Sequence, residues 1–251
     1  MELEEVTTVN GVRFVVWCYW SGSTMTPNRS MSFDLLKQHV GVPVYLVTPA
    51  QISSLEVPGH PVHPAFPYLS AVHQSDYLRI YLLHHYGGAW HDIKATKVSL
   101  EPAWQHFSDP SVYLVGRPER MGGPAQVHDA AGRWMPDHWQ DLVSVTAWVG
   151  RAGTPLTQAL YTQLHQLLDA HYALLKMYPA KHAREKKMES KGVLHRAFIE
   201  LKCLFMGRNS RYPLPWTVFG NLFHPLNYQF KDHISRDLPR DDVKNAGVYH
   251  R

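Results

Sequence analysis

The chain has 251 residues, of which 45% are hydrophobic and 18% are charged, and it carries a formal net charge of +4. This balance excludes an intrinsically disordered chain, and the length is enough for one sizeable domain with its own core. The longest uninterrupted apolar run, residues 14–20, is too short to cross a bilayer, which excludes a membrane-spanning protein. Because the sequence shows neither a secretory signal nor a cysteine framework, we expect a cytoplasmic protein.

The elements taken in chain order predict an α/β fold. Residues 11–19 are β-branched and aromatic and predict a central strand, followed by a helix over 31–40 and a strand over 42–48. Such a strand, helix and strand with short connections opens a mostly parallel sheet flanked by helices. The other predicted strands are 89–93, 96–100, 111–116 and 142–149, and the other helices are 68–86 and 154–172. No linker or repeat divides the sequence, so we predict one domain over residues 1–251.

The most informative stretch is SDYLRIYLLHHYGGAWHDIK, residues 75–94. Asp76 and Arg79 share one face of the predicted helix, and an isolated pair of this kind is commonly a local ion pair of small energetic value. Here the helix is otherwise apolar, and a Gly-Gly turn allows the backbone to reverse closely. The next strand then places Asp92 at its end, where α/β sheets hold ligand groups. The order and spacing of these features indicate a ligand site.

This stretch resembles the SDxxR…YGGxYxDxD signature of a group of GT-A glycosyltransferases. The group includes capsular polysaccharide synthesis proteins, the initiating mannosyltransferases of the yeast Golgi and the large clostridial glucosylating toxins. The match is close over residues 75–94, whereas residues 12–19, 154–172 and 212–226 are similar in arrangement only. The resemblance implies a GT-A-like fold that transfers a hexose from a nucleotide-diphosphate sugar to a glycan hydroxyl with retention of configuration. It also implies UDP as the nucleotide, with glucose or galactose as the sugar, although the mannosyltransferases use GDP.

The resemblance assigns roles to four residues of the stretch. Asp76 and Arg79 match the residues that hold hydroxyls of the donor sugar and the diphosphate region. Asp92 matches the first acidic residue of the DxD motif, which reaches the ribose or the sugar and helps to orient a metal ion. Lys94 occupies the place of the second acidic residue, which is the direct metal ligand in the family.

Lys94 leaves the role of a metal ion open. Negative charge builds on the departing diphosphate, and most relatives neutralise it with Mn²⁺ or Mg²⁺ held by carboxylate oxygens. A charged lysine cannot ligate a cation, but it can contact the diphosphate as a point charge. Lys94 therefore replaces the metal in one interpretation; in a second it points to solvent while Asp92 and other groups hold the metal. In a third, catalysis is lost and a nucleotide-sugar binding module remains.

The family also stacks the nucleobase on an aromatic residue at the end of the first strand. Trp17 fits that place, with Trp20 as a second candidate, and the alternative for Trp17 is a position in the core. The seventeen histidines show no HExxH or paired Cys/His spacing, which argues against a zinc site. His91 is expected to pack on the sheet face opposite to the site.

The sequence indicates the acceptor-binding residues less clearly than the donor-binding residues. Residues 117–140 predict a long loop that closes over the donor and excludes water. Late residues such as His250 contact the diphosphate in many GT-A enzymes, and disorder of the tail is the alternative for that residue. The acceptor contacts expected from this loop and the strand after it are Asp137, Asp141 and Ser144.

Residues 176–211 form a basic segment, which we predict to be helical. They contain ten Lys and Arg against three Glu, a net charge of +7. A solvated helix face is one interpretation, and a surface for an anionic lipid, a nucleic acid or a charged acceptor is another. A nucleic-acid or membrane-surface protein acting through this segment is therefore a rival function. Nucleic acid is disfavoured because the segment lacks interleaved aromatic residues.

Overall fold

The computed structural model describes residues 6–22, 24–121 and 136–241. The strands are Thr8–Val9 (β1), Val12–Arg13 (β2), Val16–Tyr19 (β3), Val44–Val47 (β4), Gly88–His91 (β5), Leu114–Pro118 (β6), Val143–Gly150 (β7) and Ile234–Ser235 (β8). The α-helices are Pro27–His39 (α1), Ala71–His85 (α2), Pro155–Met177 (α3), Val193–Phe205 (α4) and Val218–Gln229 (α5).

The central sheet confirms the predicted α/β class. Among the described residues it has six strands in the order β4-β3-β5-β7-β6-β8. β3 is parallel to β4 and β5, and β8 is parallel to β6, whereas β7 is antiparallel to both of its neighbours. The sheet is thus mixed, with parallel pairs in the majority, and the antiparallel β7 is a feature that the sequence did not predict.

Helices cover both faces of the sheet. Since side chains of a strand alternate between the two faces, each strand contributes to a core on either side. Trp17 and Tyr19 of β3 join a core formed with α2, α3 and α5. Val16 and Cys18 point to the other face, towards α1 and the 3-10 helix Glu101–Ser108. Within the described ranges, no helix combines the length and apolar character that crossing a membrane requires.

Two glycines end α2 and start β5, as the sequence predicted. Gly87 has φ +68° and Gly88 has φ +96°, a region that disfavours residues with a Cβ atom. A Cβ on Gly87 would lie 2.9 Å from the backbone nitrogen of Ala152, and one on Gly88 would lie 3.1 Å from the carbonyl oxygen of Val15. The turn therefore brings β5 against β3 and places the end of β5, with Asp92 after it, at the predicted ligand site.

Two predicted strands are wrong in detail. Residues 11–19 do not form one strand, because Asn10 and Gly11 adopt positive φ and close a tight β1–β2 hairpin before β3 begins. Residues 96–100, all of them described, are irregular with a bend at Val98 and form no strand. The hydroxyl of Thr96 accepts a hydrogen bond from the N–H of Val98 at 3.2 Å, a local contact that competes with pairing in a sheet.

The helices also differ from the prediction. The basic segment, residues 176–211, is helical only in α4 and at the end of α3; residues 178–192 are irregular. Helix α5 was not predicted, because Gly220 and Pro225 interrupt its pattern. Packing of Phe219 and Phe223 on Trp148 stabilises α5 despite these residues. Thr154 caps α3, since its side chain accepts the N–H of Thr157.

Candidate functional site

A cavity of about 550 Å³ opens at the carboxyl ends of β3 and β5. Helix α2 forms one wall, the start of β7 a second, and the segments around residues 184 and 216 a third. The volume lies within the range of small-molecule sites. The four residues that the signature predicts from residues 75–94 all line this cavity: Asp76, Arg79, Asp92 and Lys94.

Arg79 is the centre of the charged wall. Its guanidinium lies between the rings of Trp90 and Phe219, at 5.1 and 4.5 Å from their centroids. One Nη donates to the carbonyl of Val145 at 2.5 Å, and the other donates to Asp92 at 2.9 Å. The buried Nε has no partner within the described part of the chain. Arg79 is therefore a fixed cation in the wall of the cavity.

Asp92 is held by three donors. One carboxylate oxygen accepts from Arg79 and, at 3.2 Å, from the indole N–H of Trp90; the other lies 3.4 Å from the ammonium of Lys94. Burial alone raises the pKa of this carboxyl, but Arg79, Lys94 and the Trp90 hydrogen bond outweigh it and lower the pKa. Asp92 is thus ionised throughout the physiological range.

Asp76 has the opposite character although it shares Arg79. Its carboxylate lies 3.8 Å from the guanidinium, farther than that of Asp92. Burial raises the pKa of Asp76 to about 6; the charge of Arg79 lowers it and the charge of Asp92 raises it. The local ion pair of the helix is consequently the weaker of the two contacts of Arg79. The stronger one, to Asp92, joins α2 to the end of β5.

Trp17 belongs to the core and does not line the cavity. It is 1% exposed, and its indole N–H donates to the carbonyl of Gly87 at 2.8 Å. Trp17 lies two residues before the end of β3, where α2 and the Gly87 turn cover it, so the base-stacking role predicted for Trp17 is not available to it. Tyr19 and Trp20, at the end of β3, line the cavity instead.

Sequence reasoning missed several residues that line the cavity. Arg29 donates to the carbonyl of Ile93 at 2.7 Å and lies 5.7 Å from the ring of Trp20. Arg184 lies 4.4 Å from the ring of Trp216 on the opposite side. The sequence offers no local signal for these cavity residues, because residues 29, 184 and 216 come from distant parts of the chain and line one cavity only after folding.

The remaining predicted positions lie away from the cavity or outside the description. Asp141 contacts His138 at 3.2 Å and Lys231 at 4.0 Å, and Ser144 contacts Thr146 at 3.1 Å; neither Asp141 nor Ser144 lines the cavity. The side chain of Asp137 and all of His250 lie outside the described residues, as does most of the predicted loop at 117–140.

His91 packs on the far face of the sheet, as predicted. Its ring is 1% exposed, with Nδ1 2.6 Å from the carbonyl of Asp92 and Nε2 3.4 Å from Arg117. Burial and then the charge of Arg117 lower the pKa of His91 to about 4, so the ring is neutral.

The residues present do not fit a divalent cation. Within the described ranges, no group of three His, Cys, Asp or Glu side chains is placed to hold one. The carboxylate of Asp92 faces Arg79 and Lys94, whose positive charges would repel a cation at that place. The local charge therefore matches an anion.

Searches of family models and of curated proteins found no match to this chain. Among solved structures the chain is similar to the PaToxG glycosyltransferase, with a TM-score of 0.36 and 13% identity. That similarity covers 92% of this chain and 88% of the other. The case for function therefore depends on the cavity itself.

Proposed function

We propose that the protein is a glycosyltransferase that moves a hexose from a nucleotide-diphosphate sugar, UDP-linked by preference, to a glycan hydroxyl. The observation that carries this proposal is the convergence of Asp76, Arg79, Asp92 and Lys94 on one cavity at the end of β5. The signature predicted these residues from their linear order alone. In the fold they form a connected charged wall at the sheet edge where α/β proteins hold their ligands.

The lining of the cavity matches the parts of such a donor. A nucleobase is flat and stacks on aromatic faces, which Tyr19, Trp20 and Trp216 supply. A diphosphate carries negative charge, which Lys94 and Arg79 complement without a metal ion. Sugar hydroxyls are donors, and the carboxylates of Asp76 and Asp92 accept from them.

The proposed reaction needs a cation at the departing group. The bond between the sugar carbon and the diphosphate oxygen breaks, and its electrons stay on the diphosphate. The acceptor hydroxyl oxygen bonds to the same carbon and to the same face of the sugar, and its proton passes to the departing diphosphate. Lys94, positioned by Asp92, lowers the barrier because its charge is in place before the negative charge develops.

Thermal stabilisation by nucleotides tests the donor site. We expect UDP or another nucleoside diphosphate at 100 times its Kd to stabilise the fold by about 2.7 kcal/mol, because it binds the folded state only. For a chain of this size the melting temperature then rises by roughly 5–10 °C. The measurement uses UDP, GDP, CMP, dTDP and their sugars, each with Mn²⁺ and with EDTA.

The control variant Lys186→Gln/Lys187→Gln neutralises exposed basic residues outside the cavity and should leave the shift unchanged. The donor site is wrong if every nucleotide leaves the melting temperature unaltered, or if this control abolishes the shift. A shift without turnover of the matching nucleotide sugar overturns the transferase and leaves a binding module.

A charge reversal at Lys94 tests its replacement of the metal. We expect Lys94→Asp to reduce transfer by about 100-fold in EDTA, because the cation at the departing diphosphate is lost. Mn²⁺ should restore part of the activity, since the new carboxylate lies beside Asp92 and together they attract a hard cation. The measurement is turnover of the nucleotide sugar across a Mn²⁺ titration.

Lys97→Asp is the matched control, because Lys97 is exposed and does not line the cavity. Activity of Lys94→Asp that equals the parent in EDTA and ignores Mn²⁺ contradicts the role given to Lys94. A parent enzyme that is inactive without Mn²⁺ contradicts it as well.

A further inference from the structure

Helix α4 presents an apolar face to solvent. Six of its large apolar side chains are between 54% and 88% exposed: Val193, Leu194, Phe198, Leu201, Leu204 and Phe205. Single exposed apolar side chains are ordinary on protein surfaces, whereas a contiguous group of this size marks an interaction site.

The exposed side chains form one continuous stripe. At about 100° per residue they occupy an arc of about 140° on the helix, while Ile199 and Cys203 lie outside that arc. Ile199 and Cys203 are the buried residues of α4 and attach the helix to the protein. Lys202 lies about 40° beyond one edge of the stripe, and Glu200 and Arg196, which pair with each other, lie about 20° and about 60° beyond the other. The helix is thus bound to the protein along one side and open on an apolar side.

Hydrogen bonds of Glu185 and Asn209 connect the segments that flank α4. The buried carboxylate of Glu185 accepts backbone N–H groups of Lys181 and His182, both at 2.8 Å, and of Asn209 at 3.1 Å. The side chain of Asn209 in turn donates to the carbonyl of Pro179 at 2.8 Å. These contacts connect the segment before α4 to the segment after it, and so fix both ends of the helix to the protein.

Positive charge surrounds the stripe. Residues 176–211 carry a net charge of +7, whereas the rest of the chain carries −3. Lys186, Lys187 and Lys191 precede the helix and are exposed, and Arg196 pairs with Glu200 at 3.2 Å on the helix itself. An apolar helix face within a segment of strong positive net charge is the pattern of a helix that lies in the headgroup region of an anionic bilayer.

We propose that α4 docks this protein on a membrane surface that contains anionic lipid. The leucine and phenylalanine side chains of the stripe enter the boundary between headgroups and acyl chains, and the flanking lysines contact lipid phosphates. A second copy of the chain is disfavoured as the occupant, because a symmetric pairing through α4 would bring two segments of charge +7 together. The proposal is independent of glycosyl transfer.

Vesicle flotation tests the docking surface with the full chain. We expect binding to vesicles of phosphatidylcholine with phosphatidylserine and at least tenfold weaker binding to phosphatidylcholine alone. Leu194→Gln/Phe198→Gln should weaken binding by about tenfold or more, because two apolar side chains no longer leave water. Lys186→Gln/Lys187→Gln should weaken it by roughly fivefold per lysine at low salt.

Met31→Gln on α1 is the matched control, since it removes another exposed apolar side chain and should leave vesicle binding unchanged. Both glutamine pairs replace exposed residues, so we expect unaltered melting temperatures. With anionic vesicles, the fluorescence of a Phe198→Trp variant should shift to the blue by more than that of the parent, whose eight tryptophans supply the background.

Four outcomes overturn the proposal. The first is vesicle binding that ignores Leu194→Gln/Phe198→Gln, and the second is binding to neither kind of vesicle. The third is a dimer that the same variant dissociates while vesicles have no effect. The fourth is binding to nucleic acid in place of vesicles.

Discussion

Replacing Asp92 by Asn is expected to reduce glycosyl transfer by about 10²–10³-fold and to destabilise the fold by about 3 kcal/mol. The carboxylate joins Arg79, Lys94 and the Trp90 indole at distances of 2.9 to 3.4 Å. With a neutral amide at residue 92, the positive charges of Arg79 and Lys94 face each other without the negative carboxylate between them. Lys94 then moves away from its place, and the diphosphate loses a positioned cation.

The loss of stability at Asp92 should depend on pH. Because the folded protein lowers the pKa of this carboxyl, its contribution is present above the unfolded pKa of about 3.9 and disappears as the pH falls through the lower folded value. Denaturant unfolding of parent and variant at pH 7 and below about pH 3.9 checks the pH dependence, and kcat and KM for the nucleotide sugar at pH 7 check the effect on transfer.

Asp34→Asn is the matched control for this variant. It breaks an exposed ion pair with Lys37 and should change neither stability nor transfer measurably. If Asp92→Asn remains folded and within tenfold of the parent in transfer, Asp92 does not position the charges of the site.

Replacing Asp76 by Asn is expected to raise stability at pH 8 while it weakens donor binding. The folded protein raises the pKa of Asp76 from the ordinary 3.8 to about 6. Such a group favours the fold when it is protonated, and this stabilisation is lost as the pH rises from about 4 through 6. Ionised Asp76 therefore costs about 3 kcal/mol at pH 8, and a neutral asparagine avoids that cost.

The measurement for Asp76 is the free energy of unfolding of parent and variant at pH 4 and pH 8. We expect near equality at pH 4 and the variant to be more stable at pH 8. Nucleotide-sugar affinity should fall by about tenfold, because a neutral amide is a weaker acceptor for sugar hydroxyls than a carboxylate. An Asp76→Asn variant less stable than the parent at pH 8 would refute the assigned pKa and its cause.

The different positions of the two carboxylates relative to Arg79 explain why the pKa of Asp92 is lowered and that of Asp76 is raised. Asp92 lies 2.9 Å from the guanidinium and also contacts Lys94, so attraction outweighs the cost of burial. Asp76 lies 3.8 Å from the same guanidinium and is repelled by Asp92, so burial prevails. An energetic cost of this kind at one position is typical of residues kept for binding.

The sequence alone determined the C-terminal end of α2, the Gly-Gly turn and the placement of Asp92 after β5. These features depend on local rules: helical periodicity, a positive φ that favours glycine, and the alternation of short strands. The convergence of Asp76, Arg79, Asp92 and Lys94 also followed from sequence, because one turn joins the helix and the strand that carry them. Local chemistry was enough where the interacting residues are close along the chain.

Only the tertiary structure decided the rest of the site. Trp17 is a core residue because α2 packs over its position in β3, whereas Tyr19 lies on the same face at the end of the strand and lines the cavity. No local pattern distinguishes these two positions. Arg29, Arg184 and Trp216 join the cavity from segments far apart in sequence. Likewise, α4 shows an apolar period in the sequence whether that face is buried or open. Whether a helix face meets water depends on the elements that pack against it. Those contacts join residues far apart in sequence, and a local pattern does not contain them.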